Sequence, residues 1–461
     1  MKSSTVVIGL GRSGIGAANL LNNENNHVIV FEKDNNDEIC KSATELNKIG
    51  IKVKINTALE FKNFEPLLPI IESIIVSPSI PWDHPTLKQL RSIGIQIKGE
   101  ISLAWERMNN LKWIGITGTN GKTTVTHMIN HILRSNGHPA EMAGNVGRSA
   151  ADLALEIKHE KIKPEYLVME LSSYQLEAAT EISPYIGIWT NLTEDHLERH
   201  KTMENYSNIK KNMIDNSKIR IYNADDGYLR ENYSRLNPGI WVTSLEKRNK
   251  NSFVDYWINK DGFVCTKGIE IFHTSSLKLR GKHNLQNMMI AVATAHAIGI
   301  KNESIKQSIL SFEGVAHRLE RIYTFKDIEI YNDSKATNFA SGVVGLNSIE
   351  APAILLAGGK SKEGDPSDWI KALKKQTIGI ILFGESAQLL IKSIKQSGYK
   401  GKVECCKDLA QAVTLGMKMA LEKKSKTLLL SPVCASFDQY KSFEDRGNHF
   451  RELIKSYLEI V

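Results

Sequence analysis

Short apolar runs recur along the chain, and most of them end in glycine or in a polar cluster. Val6-Val7-Ile8 runs into Gly9, Val28-Ile29-Val30-Phe31 ends at Glu32, and Ile74-Ile75-Val76 ends at Ser77-Pro78. Trp113-Ile114-Gly115-Ile116, Tyr166-Leu167-Val168-Met169 and Tyr185-Ile186-Gly187-Ile188-Trp189 follow the same plan. So do Ile328-Glu329-Ile330-Tyr331, Ala353-Ile354-Leu355-Leu356, Ile378–Phe383 and Leu428-Leu429-Leu430. Apolar runs without polar alternation suit strands buried on both faces, as in parallel sheets covered by helices. Helical stretches separate them. The pattern predicts an α/β protein of three units, spanning residues 1–100, 101–314 and 315–461. No internal repeat or low-complexity linker interrupts the pattern.

Bulk properties narrow the class. A length of 461 residues suits about three domains. With 41% hydrophobic and 24% charged residues, the chain is neither disordered nor fibrous. No apolar stretch is long enough to span a bilayer. The opening Met1-Lys2-Ser3-Ser4 leads into an apolar run too short for a secretory signal. The net charge of +8 favours anionic substrates, but the basic residues are scattered, which argues against a nucleic-acid partner. Five cysteines lack metal-ligand spacing, and Cys405 and Cys406 are adjacent. That usage points to a reducing cytoplasm without a disulfide framework. The expectation is a cytoplasmic, monomeric protein that is not embedded in a membrane.

The candidate chemistry sits at the ends of the predicted strands. Gly118-Thr119-Asn120-Gly121-Lys122-Thr123-Thr124 follows a strand and opens a helix. Glycines there let backbone N–H groups close on an anion, and the helix dipole adds to the attraction. Lys122 can reach the β- and γ-phosphates, and the Thr123 hydroxyl can hold Mg²⁺. The usual loop has four residues between its first glycine and Gly-Lys. Here Thr119 and Asn120 alone separate Gly118 from Gly121-Lys122. The central unit therefore reads as a P-loop ATPase-like domain with a mostly parallel sheet, binding a nucleoside triphosphate. Gly9-Leu10-Gly11-Arg12-Ser13-Gly14, with Glu32 at the end of the next strand, reads as a Rossmann-like phosphate-binding turn. Taken alone, it would suggest a dinucleotide. Strand ends in such sheets gather on one edge, which would bring Thr123, Glu170 and His196 together around Mg²⁺. The last unit reads as a second Rossmann-like sheet.

Several longer motifs resemble the Mur ligases, which build the peptidoglycan stem peptide. These are Gly118–Thr124, Glu170-Leu171-Ser172-Ser173-Tyr174-Gln175, Asn191-Leu192-Thr193-Glu194-Asp195-His196 and Gly281–Asn287. His317-Arg318-Leu319-Glu320 and Asn332–Asn338 belong with them, and Ser431–Tyr440 with Phe443–Gly447 resembles the D-glutamate-adding branch. The resemblance covers all three units in order. It implies ATP, Mg²⁺ at two sites, UDP-N-acetylmuramoyl-L-alanine and D-glutamate as the small-molecule partners.

The same resemblance implies roles. Lys122, His196, Lys210 and Arg318 would be catalytic. The loop Gly118, Thr119, Asn120, Gly121, Lys122, Thr123 and Thr124 would hold ATP, with Asn284, Asn287, Arg318 and Asp333. Thr123, Glu170 and His196 would be metal ligands. Lys210 matches a lysine carbamylated by CO₂, a further metal ligand, although Lys211 beside it leaves the register open. Gly11, Arg12, Ser13, Glu32, Asn145, Gln175 and His196 would face the UDP substrate. Lys335, Thr337, Lys360, Ser436 and Phe443 would face D-glutamate, with Lys362 an alternative to Lys360.

Two positions depart from the family pattern. Ser79 stands where glycine is usual, and Glu32-Lys33 where an aspartate and a small hydroxyl residue are usual. Both bear on uridine rather than on the reaction. The rival readings are a related ligase adding a diamino acid, a folylpolyglutamate-type ligase, an NAD(P)-dependent oxidoreductase and a nucleotide-gated binding protein. The longer arginine-containing motif of the diamino-acid enzymes is absent, and an oxidoreductase leaves the loop at Lys122 unexplained.

Overall fold

A computed structural model describes residues 3–246, 253–361 and 364–460. Two compact units emerge: residues 1–277 with 282–312, and residues 278–281 with 313–461. Among the described residues the first unit contains two sheets and the second unit one.

The first sheet is built from β1 (Ser4–Ile8), β2 (His27–Phe31), β3 (Lys52–Lys54), β4 (Ile71–Val76) and β5 (Gln96–Gly99). Its order is β3-β2-β1-β4-β5, all parallel. The order reverses between β1 and β4, so the turns after these two strands open a crevice. Gly9, at φ 95°, begins the turn after β1, and a Cβ on Gly14 would lie 1.9 Å from the Gly9 carbonyl oxygen. The turn closes this tightly only because position 14 has no side chain.

The second sheet runs through β6 (Lys112–Thr117), β7 (Ala140–Gly144), β8 (Tyr166–Glu170), β9 (Ile186–Trp189), β10 (Ile219–Asn223) and β11 (Ile240–Val242). It continues with β12 (Tyr256–Ile258), β13 (Phe263–Thr266) and β14 (Ile269–His273). Its order is β14-β13-β12-β11-β10-β9-β6-β8-β7. Strands β6 to β12 pair in parallel, and β13 and β14 extend the edge antiparallel. β6, β8 and β9 are buried almost throughout, as their unbroken apolar runs require. One apolar cluster joins Val7, Leu20 and Val30 of the first sheet and its helices to Trp113, Leu167 and Trp189 of the second. The two sheets therefore share a core.

The second unit holds β15 (Glu320–Phe325), β16 (Ile328–Asn332), β17 (Ala353–Gly358), β18 (Thr377–Phe383), β19 (Lys402–Cys405) and β20 (Thr427–Leu430). Their order is β15-β16-β20-β17-β18-β19. All pair in parallel except the β15–β16 hairpin. Apolar clusters cover both faces of this sheet. Its carboxyl edge gathers the turns after β16, β17 and β20.

Candidate active site

β6 delivers the phosphate loop. Gly118 and Gly121 adopt φ of 142° and 82°, where L-residues are strained. A Cβ on Gly118 would also lie 2.0 Å from Thr190 Oγ1. Helix Lys122–Ser135 starts at Gly121. Asn191, just past β9, braces the loop: its Oδ1 accepts from the N–H groups of Thr119 at 3.1 Å and Asn120 at 2.8 Å. The Lys122 ammonium donates back to the carbonyls of Gly118 and Thr119, both at 2.8 Å. Thr124 lies in the first turn of the helix.

Thr123 Oγ1 donates to Glu170 Oε2 at 2.7 Å, and Asn145 Nδ2 donates to Glu170 Oε1 at 2.8 Å. Glu170 is buried at the end of β8. The hydroxyl and carboxylate suit Mg²⁺, which takes one or two protein oxygens and fills its octahedron with phosphate and water. Among the described residues, no group of three or more His, Cys, Asp or Glu side chains could hold a metal by itself. The oxygen pair therefore fits Mg²⁺ bound together with a phosphate.

His196 caps a short helix in the left-handed conformation, φ 55°. Its Nδ1 lies 3.2 Å from the Tyr174 hydroxyl, which donates to Glu198 at 3.1 Å. Its Nε2 lies 3.4 Å from Asp195. Both ring nitrogens thus face polar neighbours, and the imidazole remains partly exposed.

Lys210 lies on helix Met203–Asn216 and is 1% exposed, which is extreme for a lysine. Its Nζ is 3.1 Å from the Gly118 carbonyl oxygen and 3.4 Å from Thr117 Oγ1. It lies 4.6 Å above the Tyr206 ring. Burial first, and the nearby Lys122 charge second, hold this amine well below the ordinary lysine range, against a weaker pull from Asp195. Lys211, in contrast, pairs with Asp215 and is more exposed. The two adjacent lysines therefore occupy different environments, and Lys210 is the one in the site.

Lys122, His196 and Lys210 all line one cleft of about 730 Å³, with Gly118 and Thr119. The opposite wall comes from the first sheet: the turn Gly9–Ser13, Glu32 and Ser77–Ile80. Several side chains expected to meet uridine are already engaged. Glu32 accepts from the N–H groups of Leu10 at 2.7 Å and Asp34 at 2.9 Å. Arg12 donates to the carbonyls of Gly147 at 2.6 Å, Asn145 at 3.1 Å and Gly144 at 3.3 Å. Gln175 Oε1 completes a capping box with Ser172. Gly11 and Ser13 lie at the start of helix Arg12–Asn23 and line the cleft. Asn284 and Asn287 are buried on helix Lys282–Ile298, and a Cβ on Gly121 would meet Asn287 Oδ1 at 2.6 Å. Asn287 is therefore placed against the phosphate loop, and its Nδ2 donates to Asn284 Oδ1 at 3.3 Å.

In the second unit, segments 332–338, 358–361 and 431–443 follow three neighbouring strands. The Lys335 ammonium lies 3.9 Å above the Phe443 ring, and Lys360 pairs its backbone with Ala435, next to buried Ser436. Thr337 is half-buried in the same loop. Lys362 lies outside the described residues. Asp333 accepts from Ser431 Oγ at 2.9 Å and the Leu319 N–H at 3.1 Å. Burial pushes its carboxyl up to about 7, with Ser431, Leu319 and the Arg318 charge opposing. Arg446, buried completely, ties these loops together through Ser334 and the Cys434 carbonyl.

Comparison with known proteins agrees with this geometry. Residues 3–99 match the N-terminal domain model "Mur ligase MurD-like" and residues 116–295 the "Mur ligase middle domain". A UDP-N-acetylmuramoylalanine–D-glutamate ligase of Prochlorococcus marinus is 49% identical over 98% of this chain and 96% of its own. The chain belongs to the Mur ligases, on their UDP-N-acetylmuramoylalanine–D-glutamate ligase branch. A Mur ligase of the same name from Synechococcus sp. (strain CC9902) is 45% identical over 99% of both chains. The Mur ligase fold is also that of the UDP-N-acetylmuramate-alanine ligase of Thermotoga maritima. That structure has a TM-score of 0.60 at 18% identity, over 98% of this chain and 99% of the other. A pseudomurein peptide ligase type C from Methanothermus fervidus gives 0.55 at 20% identity, over 99% and 100%. Mur ligases are ATP-dependent and generally use Mg²⁺, and their substrates are small molecules. No helix among the described residues is long and apolar enough to cross a membrane.

Three residues here carry structure that no sequence motif assigned to them. Tyr206 donates to or accepts from Thr119 of the phosphate loop at 3.2 Å. Tyr174 orients His196, and Arg199 grips the opposite wall of the cleft. Tyr174 and Arg199 lie within or just beside the motifs already singled out, which is the only signal the sequence offers.

Proposed function

We propose that this chain joins D-glutamate to UDP-N-acetylmuramoyl-L-alanine with cleavage of ATP, supplying a peptidoglycan precursor. The observation that carries the reading is identity of 49% over 98% of the chain with a ligase of that name. Residues 1–100 would hold the UDP substrate, 101–314 ATP and 315–461 D-glutamate.

A carboxylate is a poor electrophile, so the alanyl carboxylate is first phosphorylated by ATP. The resulting acyl phosphate has a good leaving group, and the D-glutamate amine displaces it through a tetrahedral intermediate. Phosphoryl transfer between two anions depends on alignment and charge screening. The Gly118–Thr124 amides and the Lys122 ammonium would cradle the β- and γ-phosphates, and Arg318 would neutralise the transferring group. Thr123 and Glu170 would hold Mg²⁺, which screens phosphate charge when bound. His196 would serve a second metal. Asn284 and Asn287 would lie on the adenine side and Asp333 on the ribose side. Gly11, Ser13, Arg12, Glu32, Asn145 and Gln175 would shape the UDP end. Lys335, Thr337, Lys360, Ser436 and Phe443 would take up the two D-glutamate carboxylates.

Lys210 has a specific reason to be modified. Burial and the Lys122 charge lower the Lys210 pKa and so favour the neutral amine, the form that attacks CO₂. As the C–N bond forms, one C=O π bond of CO₂ breaks and the nitrogen loses a proton to solvent, so the carbamate would supply an anionic oxygen ligand suited to Mg²⁺ beside the phosphate loop. The test of the reading is incubation with ATP, Mg²⁺, UDP-N-acetylmuramoyl-L-alanine and a panel of amino acids. D-Glutamate alone should give product by mass spectrometry; product with a different amino acid instead would reject it.

A further inference from the structure

The cleft is walled by segments from two different sheets, and a reaction across it requires these walls to stay in register. Arg12 crosses from the first sheet to the Gly144–Gly147 turn, and Arg199 crosses in the opposite direction. Arg199 lies three residues after His196 on the short helix Leu197–His200, and its side chain is 10% exposed. Its guanidinium reaches the turn after β4, 120 positions earlier. Nη2 donates to the carbonyls of Ile80 at 2.6 Å and Pro78 at 3.3 Å, and Nη1 to that of Ser79 at 3.4 Å. Nε donates to Glu177 Oε1 at 3.0 Å, and Nη2 contacts the same oxygen. The Tyr174 ring, whose hydroxyl meets His196, lies 4.9 Å from the guanidinium carbon.

This arrangement uses properties that only arginine has. A planar fork of donors serves a carboxylate and three successive carbonyls at once, whereas a lysine offers a single point charge. Glu177 is 12% exposed and fixes the fork from behind. Ser77, Pro78, Ser79 and Ile80 all line the cleft, so the gripped segment is part of its wall. That segment also contains the Ser79 departure from the family pattern. Arg199 contacts its backbone, so the grip does not depend on the side chain at position 79.

We infer that Arg199 is a positioning residue for the muramoyl nucleotide, holding the 78–80 wall in register with His196. The inference rests on the proposed function for the identity of that ligand. The Arg199 hydrogen bonds go to Glu177 and the 78–80 carbonyls rather than to the phosphate loop, so ATP binding should be insensitive to it. Small misplacements between reacting groups are costly, and an ångström can reduce rates by about 10²-fold.

The test compares native protein with Arg199→Lys and Arg199→Ala. UDP-N-acetylmuramoyl-L-alanine is titrated by calorimetry without ATP or D-glutamate, and KM is measured for each substrate. Arg199→Lys keeps the charge beside Glu177 and serves if the alanine variant does not fold. Nucleotide affinity should fall by about ten-fold or more and kcat should fall, while KM for ATP stays within about two-fold. Arg199→Ala should be worse than Arg199→Lys. Unchanged nucleotide affinity, or a parallel rise in the KM for ATP, would overturn the inference. Native protein that binds the nucleotide without forming D-glutamate product would reject the proposed function instead. Normal native turnover with native-like binding by Arg199→Lys would reject only the role of Arg199.

Discussion

The Lys210 ammonium lies 3.1 Å from the Gly118 carbonyl oxygen, under the same loop that carries Lys122. Two basic side chains therefore approach one glycine carbonyl, since Lys122 Nζ donates to it at 2.8 Å. Such a pair is unfavourable until an anion arrives or one amine loses its charge. The first option fits a triphosphate and the second fits the depressed Lys210 pKa.

That depression has a thermodynamic consequence. Between the lowered folded value and the ordinary 10.5, the unfolded chain keeps a proton on Lys210 that the folded chain releases. Stability must then rise with pH through that window. Lys210→Met removes the titration while keeping the volume. In CO₂-free buffer, the variant's melting temperature should exceed the native value near pH 7, and the gap should shrink near pH 10. An identical gap at both pH values would mean that Lys210 stays charged. Adding bicarbonate should place one CO₂ on the native protein, read by mass spectrometry, and none on the variant.

Lys122 is the expected carrier of phosphate charge, and its ammonium donates to the loop carbonyls of Gly118 and Thr119. Lys122→Ala should lower kcat/KM by about 10²–10³-fold, the scale of losing one preorganised donor. Its melting temperature should stay near the native value. Normal turnover would remove the phosphate-loop assignment.

Asn145 reaches Glu170 from the turn after β7 and orients the carboxylate that also accepts from Thr123. Loss of such an outer partner commonly weakens metal binding by about 10–100-fold. Asn145→Ala should therefore need more Mg²⁺ for half-maximal turnover, by a factor in that range. An unchanged Mg²⁺ titration would separate Glu170 from the metal.

Asp333 offers the opposite pH signature to Lys210. Its ordinary value is 3.8 and its folded value is raised to about 7. The folded chain then holds a proton that the unfolded chain releases, so stability falls as pH rises through this window. Asp333→Asn can still accept from the Leu319 N–H and can donate to Ser431. It should be more stable than native protein above about pH 7, by a few kcal/mol at most, and close to it near pH 4. A constant difference across that range, read by thermal unfolding, would contradict the buried-acid account.

Much of this arrangement was legible before the fold was known. Gly118, Gly121 and Lys122 announce a phosphate turn because few other uses demand those residues between a strand and a helix. Glu170 could be placed near Thr123 because parallel strands present one common edge. The pairing of Thr123 with Glu170 at 2.7 Å follows that rule. Side-chain geometry was not legible. Whether Glu32 and Arg12 point at ligand or at backbone depends on turns that fold far away, at Leu10 and at Gly144–Gly147. The burial of Lys210 over Lys211 depends on one helical rotation. The antiparallel β13–β14 edge escaped notice because its short strands are half-exposed and carry no long apolar run.

The most direct test of the account follows an oxygen atom. If ATP activates the alanyl carboxylate as an acyl phosphate, that carboxylate must give up one oxygen to phosphate. UDP-N-acetylmuramoyl-L-alanine labelled with heavy oxygen in the carboxylate, turned over with ATP, Mg²⁺ and D-glutamate, should release labelled inorganic phosphate. Full turnover with unlabelled phosphate would contradict the account.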